Sequence, residues 1–247
     1  MSVFFLSDLH LDGGNSAPSV RFSNFISEQL SPGDYLLLGG DIFDLLVGSK
    51  RVFHQRHALA LSAIEGAARR GVRVHYLEGN HDFHFENLFR GIPNIEVWVG
   101  DMELQYQDRK IWVSHGDLID EEDTGYRFLR FMLRNALFKG FVDGLPDSFV
   151  DFLGTRSSGA SRKYTSARVE NEGTERLRRL YLDYAKARVR EGYRHVLLGH
   201  SHLRDQVPIS ERGLEGEYLN LGFSSERLLV GVLHPNAARF QIREIHT

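Results

Sequence analysis

The sequence predicts an α/β fold: a four-layer α/β/β/α sandwich of two mixed sheets with an inserted helical cap. Three observations carry that expectation: short apolar runs that end at once in glycine and polar residues, helical spacing between the first of these runs, and a helical stretch that interrupts the strand pattern after residue 125.

The runs at residues 3–6, 35–38, 72–77 and 196–198 are rich in branched or aromatic residues and read as buried strands. Residues 22–30 and 52–70 have helical spacing, so the opening third alternates strand and helix as a parallel sheet does. Shorter strand candidates follow at 95–99, 102–106 and 110–114, and the charged turn 107–109 predicts antiparallel pairing of the last two. Residues 217–221, 227–233 and 239–245 have the same texture. Helical patterning at 126–141, 147–153 and 168–191 predicts a cap over residues 126–190, inserted in one domain spanning 1–247. The glycine-, serine- and arginine-rich residues 157–166 read as a loop between cap helices.

The chain has 247 residues, 42% of them hydrophobic, enough to bury a sizeable core. A net charge of -3, from 30 basic and 33 acidic residues, gives no chain-wide positive field, so nucleic acid is not an expected partner. With no cysteine, oxygen and imidazole are the only strong metal ligands on offer. No stretch of about 18 apolar residues occurs and the start lacks the basic residues of a signal peptide. The expectation is a cytoplasmic protein, with peripheral contact at the inner face of the cytoplasmic membrane left open.

Metal-ligand residue types stand at the ends of the predicted strands, where open α/β sheets place their crevices. Asp8 and His10 follow the first strand and Asp41 the second; Asn80, His81 and Asp82 follow the third, His115 the strand 110–114, and His200 and His202 the strand 196–198. Singly, each is more often a cap, a turn residue or a packed ring. Together they would leave several hydrophobic strands ending in carboxylates and imidazoles that are costly to desolvate unless paired, and two divalent ions satisfy them all. The pairs Asp8 with His10 and His200 with His202 are expected to share a side of extended chain, because strand side chains alternate with period two. Asp41 is the natural bridging ligand, since its two oxygens can serve two ions. Mixed oxygen and nitrogen ligation suits manganese, iron or zinc better than calcium or magnesium.

The blocks Asp-x-His, Gly-Asp, Gly-Asn-His-Asp, His and Gly-His-x-His, in this order between residues 3 and 202, resemble those of the calcineurin-like metallophosphoesterases. The resemblance implies that Asp8, His10, Asp41 and His202 hold one metal while Asp41, Asn80, His115 and His200 hold the other. It also implies that His81, oriented by Asp82, sits by the phosphate and assists the leaving group. Within that superfamily the size, and the run His115-Gly116-Asp117 followed by residues 123–128 entering a helical insertion, resemble the UDP-2,3-diacylglucosamine hydrolases. That branch splits a pyrophosphate to give UMP and a diacylated sugar phosphate in lipid A synthesis. Its commonest form has Arg where this chain has His81, so another nucleotide, a phosphoprotein or a lipid phosphate remains an alternative substrate. A non-catalytic scaffold on the same fold is the alternative of a different class.

Residues 126–139 carry Arg127, Arg130, Arg134 and Lys139, no acidic residue, and seven large apolar side chains. Such a helix is expected to hold acyl chains on one side and meet phosphates or headgroups with the other. Asp123, Tyr126, Asn80 and His81 are expected to contact substrate, and Arg156, Arg162 and Lys163 to clamp its diphosphate or uridine side.

Overall fold

The computed structural model describes residues 1–85, 87–147, 149–150, 174–223 and 227–246. Strand β1 (Val3–Leu6) leads through α1 (Ala17–Gln29) to β2 (Tyr35–Leu38), and short β3 (Leu46–Val47) precedes α2 (Arg51–Arg56) and α3 (Ala58–Arg69). Then come β4 (Arg73–Leu77), short β5 (Asp82–Phe83), β6 (Ile95–Trp98), β7 (Met102–Tyr106) and β8 (Arg109–Ser114). Helices α4 (Thr124–Arg134), α5 (Ala136–Gly144) and α6 (Thr174–Arg190) are followed by β9 (His195–Leu198), β10 (Asp205–Glu211), β11 (Leu214–Asn220), β12 (Leu228–Leu233) and β13 (Gln241–Ile245).

The first sheet has the order β13-β12-β1-β2-β4-β6 and the second β10-β11-β9-β8-β7, each mixing parallel and antiparallel pairs. They pack face to face through Val3, Phe5, Leu37, Leu77, Ile111, Val113, Leu197 and Leu219, all fully or nearly fully buried. On its other face the first sheet receives Phe22, Phe25 and Ile26 of α1 and Ala60, Ile64 and Ala67 of α3. The second sheet receives Tyr181, Ala185 and Val189 of α6. These are the four expected layers. Helix α6, expected inside the cap, is therefore the outer layer of the second sheet.

The helix ends differ from the sequence expectation for local reasons. Helix α1 begins at residue 17 because Ser16 caps it, accepting from Ser19 N, and Pro18 suits its first turn. The expected helix 52–70 is two, broken at His57, whose buried ring donates to Leu45 O (2.9 Å) and lies 4.6 Å from the Phe43 ring. The expected helix 126–141 is also two: Asn135 turns extended and its side chain accepts from Leu137 N to cap α5. Strand β10 is not among the expected strands; it contains Pro208 and lies at the sheet edge, where a missing N–H is tolerated.

Helices α4 and α5 are tied to the sheet ends by ion pairs more than by apolar contact. Arg130 Nε donates to Asp117 Oδ2, and Arg134 pairs with Glu78 (2.8 Å) and donates to Gly79 O (3.0 Å). The buried Lys50 ammonium donates to the last carbonyls of α5, at Asp143 and Leu145. Among the described residues no helix is long and apolar enough to cross a membrane.

Phe5, with no exposed surface between the sheets, gives a direct test of this arrangement. Phe5→Ala is expected to cost about 3–5 kcal/mol in chemical denaturation.

Candidate metal centre

The ligand side chains gather where β1, β2, β4, β8 and β9 end. What turns the chain there is left-handed backbone: φ is 53° at Asp8, 46° at His10, 53° at Asp41, 63° at His200 and 57° at His202. Such values are uncommon outside glycine, and Asp and His tolerate them better than most residues. Asp8 and His10 converge as expected, through these turns and not through the period-two alternation of extended chain, whereas His200 and His202 part toward different groups.

Asp8, His10 and His202 offer ligand atoms to one point, and Asp41, His115 and His200 to another. His10 Nε2 and His202 Nε2 lie 3.2 Å apart, close to the separation of about 3.3 Å that two imidazole nitrogens take on one tetrahedral ion. Asn80 Oδ1 lies 3.1 Å from His115 Nε2 and 3.0 Å from His200 Nδ1, which places Asn80 with the second group. Asp41 stands between the groups, with Oδ2 3.8 Å from His10 Nε2 and Oδ1 3.6 Å from His115 Nε2. One carboxylate oxygen faces each half, the arrangement a bridging ligand needs. His115 Nδ1 donates to Gly39 O (3.0 Å), which leaves Nε2 as the ligating atom.

The electrostatics also fit two cations. Asp8 is fully buried, its Oδ2 has no hydrogen-bond partner among the described residues, and burial pushes its carboxyl up to about 7. Burial would raise Asp41 too, but His115, His81 and His10 outweigh it and hold that carboxyl well below the usual range. Burial lowers His200 to about 3 and His202 to about 4, so both are neutral and have lone pairs to give. His115 is raised to about 8: burial opposes this, and Asp41, Asp117 and Asp8 prevail. Bound divalent ions would supply the missing positive charge and favour the ionised carboxylates.

Asp82, expected to orient His81, is fully buried. Its carboxylate accepts from the backbone N–H groups of Asp41, Ile42, Phe43 and Gly79 and from the Tyr76 hydroxyl, so it shapes the Asp41 turn. Burial and the neighbouring Asp41 charge raise it to about 6, still ionised at neutral pH. Gly79 is required beside it, because a Cβ there would lie 2.1 Å from Asp41 Oδ1. His81 is set by Asp44: its Nδ1 donates to Asp44 O (2.7 Å), and Asp44 also joins His10 and His81 in a third group of converging ligand atoms. The signal for Asp44 was its position three residues after Asp41 in the same turn, and it was passed over.

Asp123 caps α4, accepting from Tyr126 N (2.9 Å). Tyr126 is at the site: its hydroxyl donates to Asp117 Oδ2 (2.8 Å) and its ring lies 5.3 Å from that of His200. Arg156, Arg162 and Lys163 lie outside the described residues. Sequence reasoning missed Asp117 and Glu78, the carboxylates that receive Arg130 and Arg134 beside His115 and Asn80. The expected basic side of α4 is therefore partly spent on these two carboxylates.

Next to Asn80 and His81 opens a cleft of about 400 Å³. Its walls are mainly apolar, with Leu45, Val47 and Phe83 on the sheet side and Leu129, Leu133 and Phe138 among those on the cap side.

Residues 1–204 match the family described as calcineurin-like phosphoesterase. The chain belongs to this family. It is a metal-dependent phosphoesterase, and its clustered Asp and His side chains are groups that could hold the metal. The UDP-2,3-diacylglucosamine hydrolase of Pseudomonas paraeruginosa is 28% identical over 90% of each chain. That of Nitrosococcus oceani is 29% identical over 60% of this chain and 59% of its own, so this match spans under two thirds of the relative. An archaeal phosphodiesterase of known structure aligns over 99% of both chains at 12% identity with a TM-score of 0.48, a likeness that adds nothing to the fold described above.

Two outcomes are expected. Metal uptake by the stripped protein should strengthen as pH rises from about 6 to about 8, because Asp8 (about 7) and His115 (about 8) hold protons below those values that a cation must displace. Metal content measured by atomic emission across that range checks it, and flat uptake would contradict the assignment. Asp123→Ala should cost about 1 kcal/mol, confined to α4 and read as faster amide exchange there, with metal content unchanged.

Proposed function

We propose that this phosphoesterase cleaves the pyrophosphate of UDP-2,3-diacylglucosamine, releasing UMP and 2,3-diacylglucosamine 1-phosphate. The observation that carries the proposal is the apolar cleft, which starts at Asn80 and His81 and runs between β3, β5 and the cap helices. A soluble phosphopeptide or free nucleotide has no use for such walls, whereas an acyl chain attached close to the scissile phosphate does. The curated relatives of that name support the same reading.

Two divalent ions would be held by Asp8, His10, Asp41 and His202 on one side and by Asp41, Asn80, His115 and His200 on the other, with manganese the preferred identity. Bound there, they would supply a nucleophilic hydroxide near neutral pH and offset the charge of the phosphate oxygens. His81 lines the cleft with Nδ1 donating to Asp44 O, and in its doubly protonated form the ring would hydrogen-bond a phosphate oxygen or give a proton to the departing group. Its placement lets it stand in for the arginine found in most of that branch. Tyr126, anchored on Asp117, closes the site beside His200. The cap enters the proposal through α4 and α5, and Arg156, Arg162 and Lys163 are its candidate diphosphate contacts.

Helices α4 and α5 also turn Phe128 (67% exposed), Phe131 (64%), Leu137 (85%) and Phe141 (64%) outward. With Arg127 exposed among them, this surface suits peripheral contact with an anionic membrane from which a lipid substrate is drawn.

Assays of the metal-loaded protein with UDP-2,3-diacylglucosamine, bis-p-nitrophenyl phosphate and a phosphopeptide test the proposal. The lipid is expected to be turned over and lost on chelation, and a protein that ignores it but hydrolyses the phosphopeptide would refute the reading. Leu129→Glu places a charge in the cleft wall at a half-exposed position. It should raise KM for the lipid by about tenfold or more, while the small diester changes little.

A further inference from the structure

Phe223 stands beside His10 and His202 and does not line the apolar cleft. Its ring lies 5.5 Å from that of His10 and 5.1 Å from that of His202, yet 45% of its surface is exposed. A lone exposed aromatic is ordinary. This one is held in place. Strand β11 ends at Asn220, whose fully buried side chain donates to Gly199 O and Ser201 Oγ (both 3.1 Å) and accepts from Gly222 N (2.9 Å). Gly222 has φ 70°, and a Cβ there would lie 2.9 Å from Arg204 N. The turn bearing Phe223 is thus bolted to the His200–His202 loop, and the ring is presented to solvent over two imidazoles.

The cleft is lined by Asn80, His81 and Tyr126, and by neither His10, His202 nor Phe223. Displacement at phosphorus is in line, so the two arms of a pyrophosphate leave the reacting centre in different directions. With the acyl arm in the cleft, a nucleotide arm directed toward the His10 and His202 half would meet the exposed Phe223 ring. A ring accepts a planar base by stacking whatever the base's hydrogen-bonding edge.

We infer that Phe223 is a specificity-determining residue, the platform on which the nucleobase of the substrate rests. The inference relies on the UDP-linked substrate proposed above.

The test is calorimetric titration of the metal-loaded protein with UMP and with ribose 5-phosphate, which lacks the base, for wild type, Phe223→Ala and Phe223→Trp. Wild type should prefer UMP by roughly five- to hundredfold, the range of one stacked base. Phe223→Ala should erase that preference while its metal content and ribose 5-phosphate affinity stay within about twofold, and Phe223→Trp should keep it. Equal binding of both ligands by wild type would overturn the inference. So would a Phe223→Ala protein that sheds metal or weakens both ligands alike, since the ring would then merely support His10 and His202. Turnover of the UDP-linked lipid is scored separately. If it fails while a Phe223-dependent preference for UMP persists, the lipid substrate is wrong and the platform stands.

Discussion

A carboxylate with no exposed surface must find donors inside the protein, and the way Asp82 finds them fixes the geometry of the whole centre. It gathers backbone N–H groups from the turns after β2 and β4 and the hydroxyl of Tyr76. Those turns are thereby locked to each other before any ion enters, and Asp41 emerges from one of them between the two ligand groups. Asp8 plays a comparable part on the other side, accepting from His200 N (2.8 Å) and so tying the end of β1 to the end of β9. Sites whose ligands are held by such supporting bonds need little reorganisation to bind.

The same economy appears in α4. Tyr126, Arg130 and Arg134 recur every four residues and so share one stripe of the helix, which faces Asp117 and Glu78. Leu129 and Leu133 occupy the neighbouring stripe and wall the cleft. One helix therefore reaches both the residues beside the metal ligands and the apolar wall, so a movement of it alters both together.

Much of this was legible in the residues. The strands ending in Leu6, Leu38, Leu77, Ser114 and Leu198 were plain because buried parallel strands are continuous apolar runs, and the ligands followed because each sits at the end of one. The supporting interactions were hidden, because Asp82, Asp117 and Glu78 act on partners 40 or 41, 13 and 56 residues away. Spacing rules see only neighbours in sequence. The breaks at His57 and Asn135 were hidden for a related reason: both residues fit a helical pattern, and tertiary or local side-chain bonds overrode it. Phe223 carried no signal, since an isolated aromatic after a strand is usually core.

The left-handed backbone at Asp8, His10, Asp41, His200 and His202 reaches beyond the question of how the ligands converge. Each of these positions selects for conformation as well as for a donor atom. Replacing imidazole by thiolate, the obvious route to a softer metal preference, would install a residue less at ease in that region. The ligand alphabet open to this scaffold is thus narrower than coordination chemistry alone would allow, with asparagine, aspartate and histidine its natural letters.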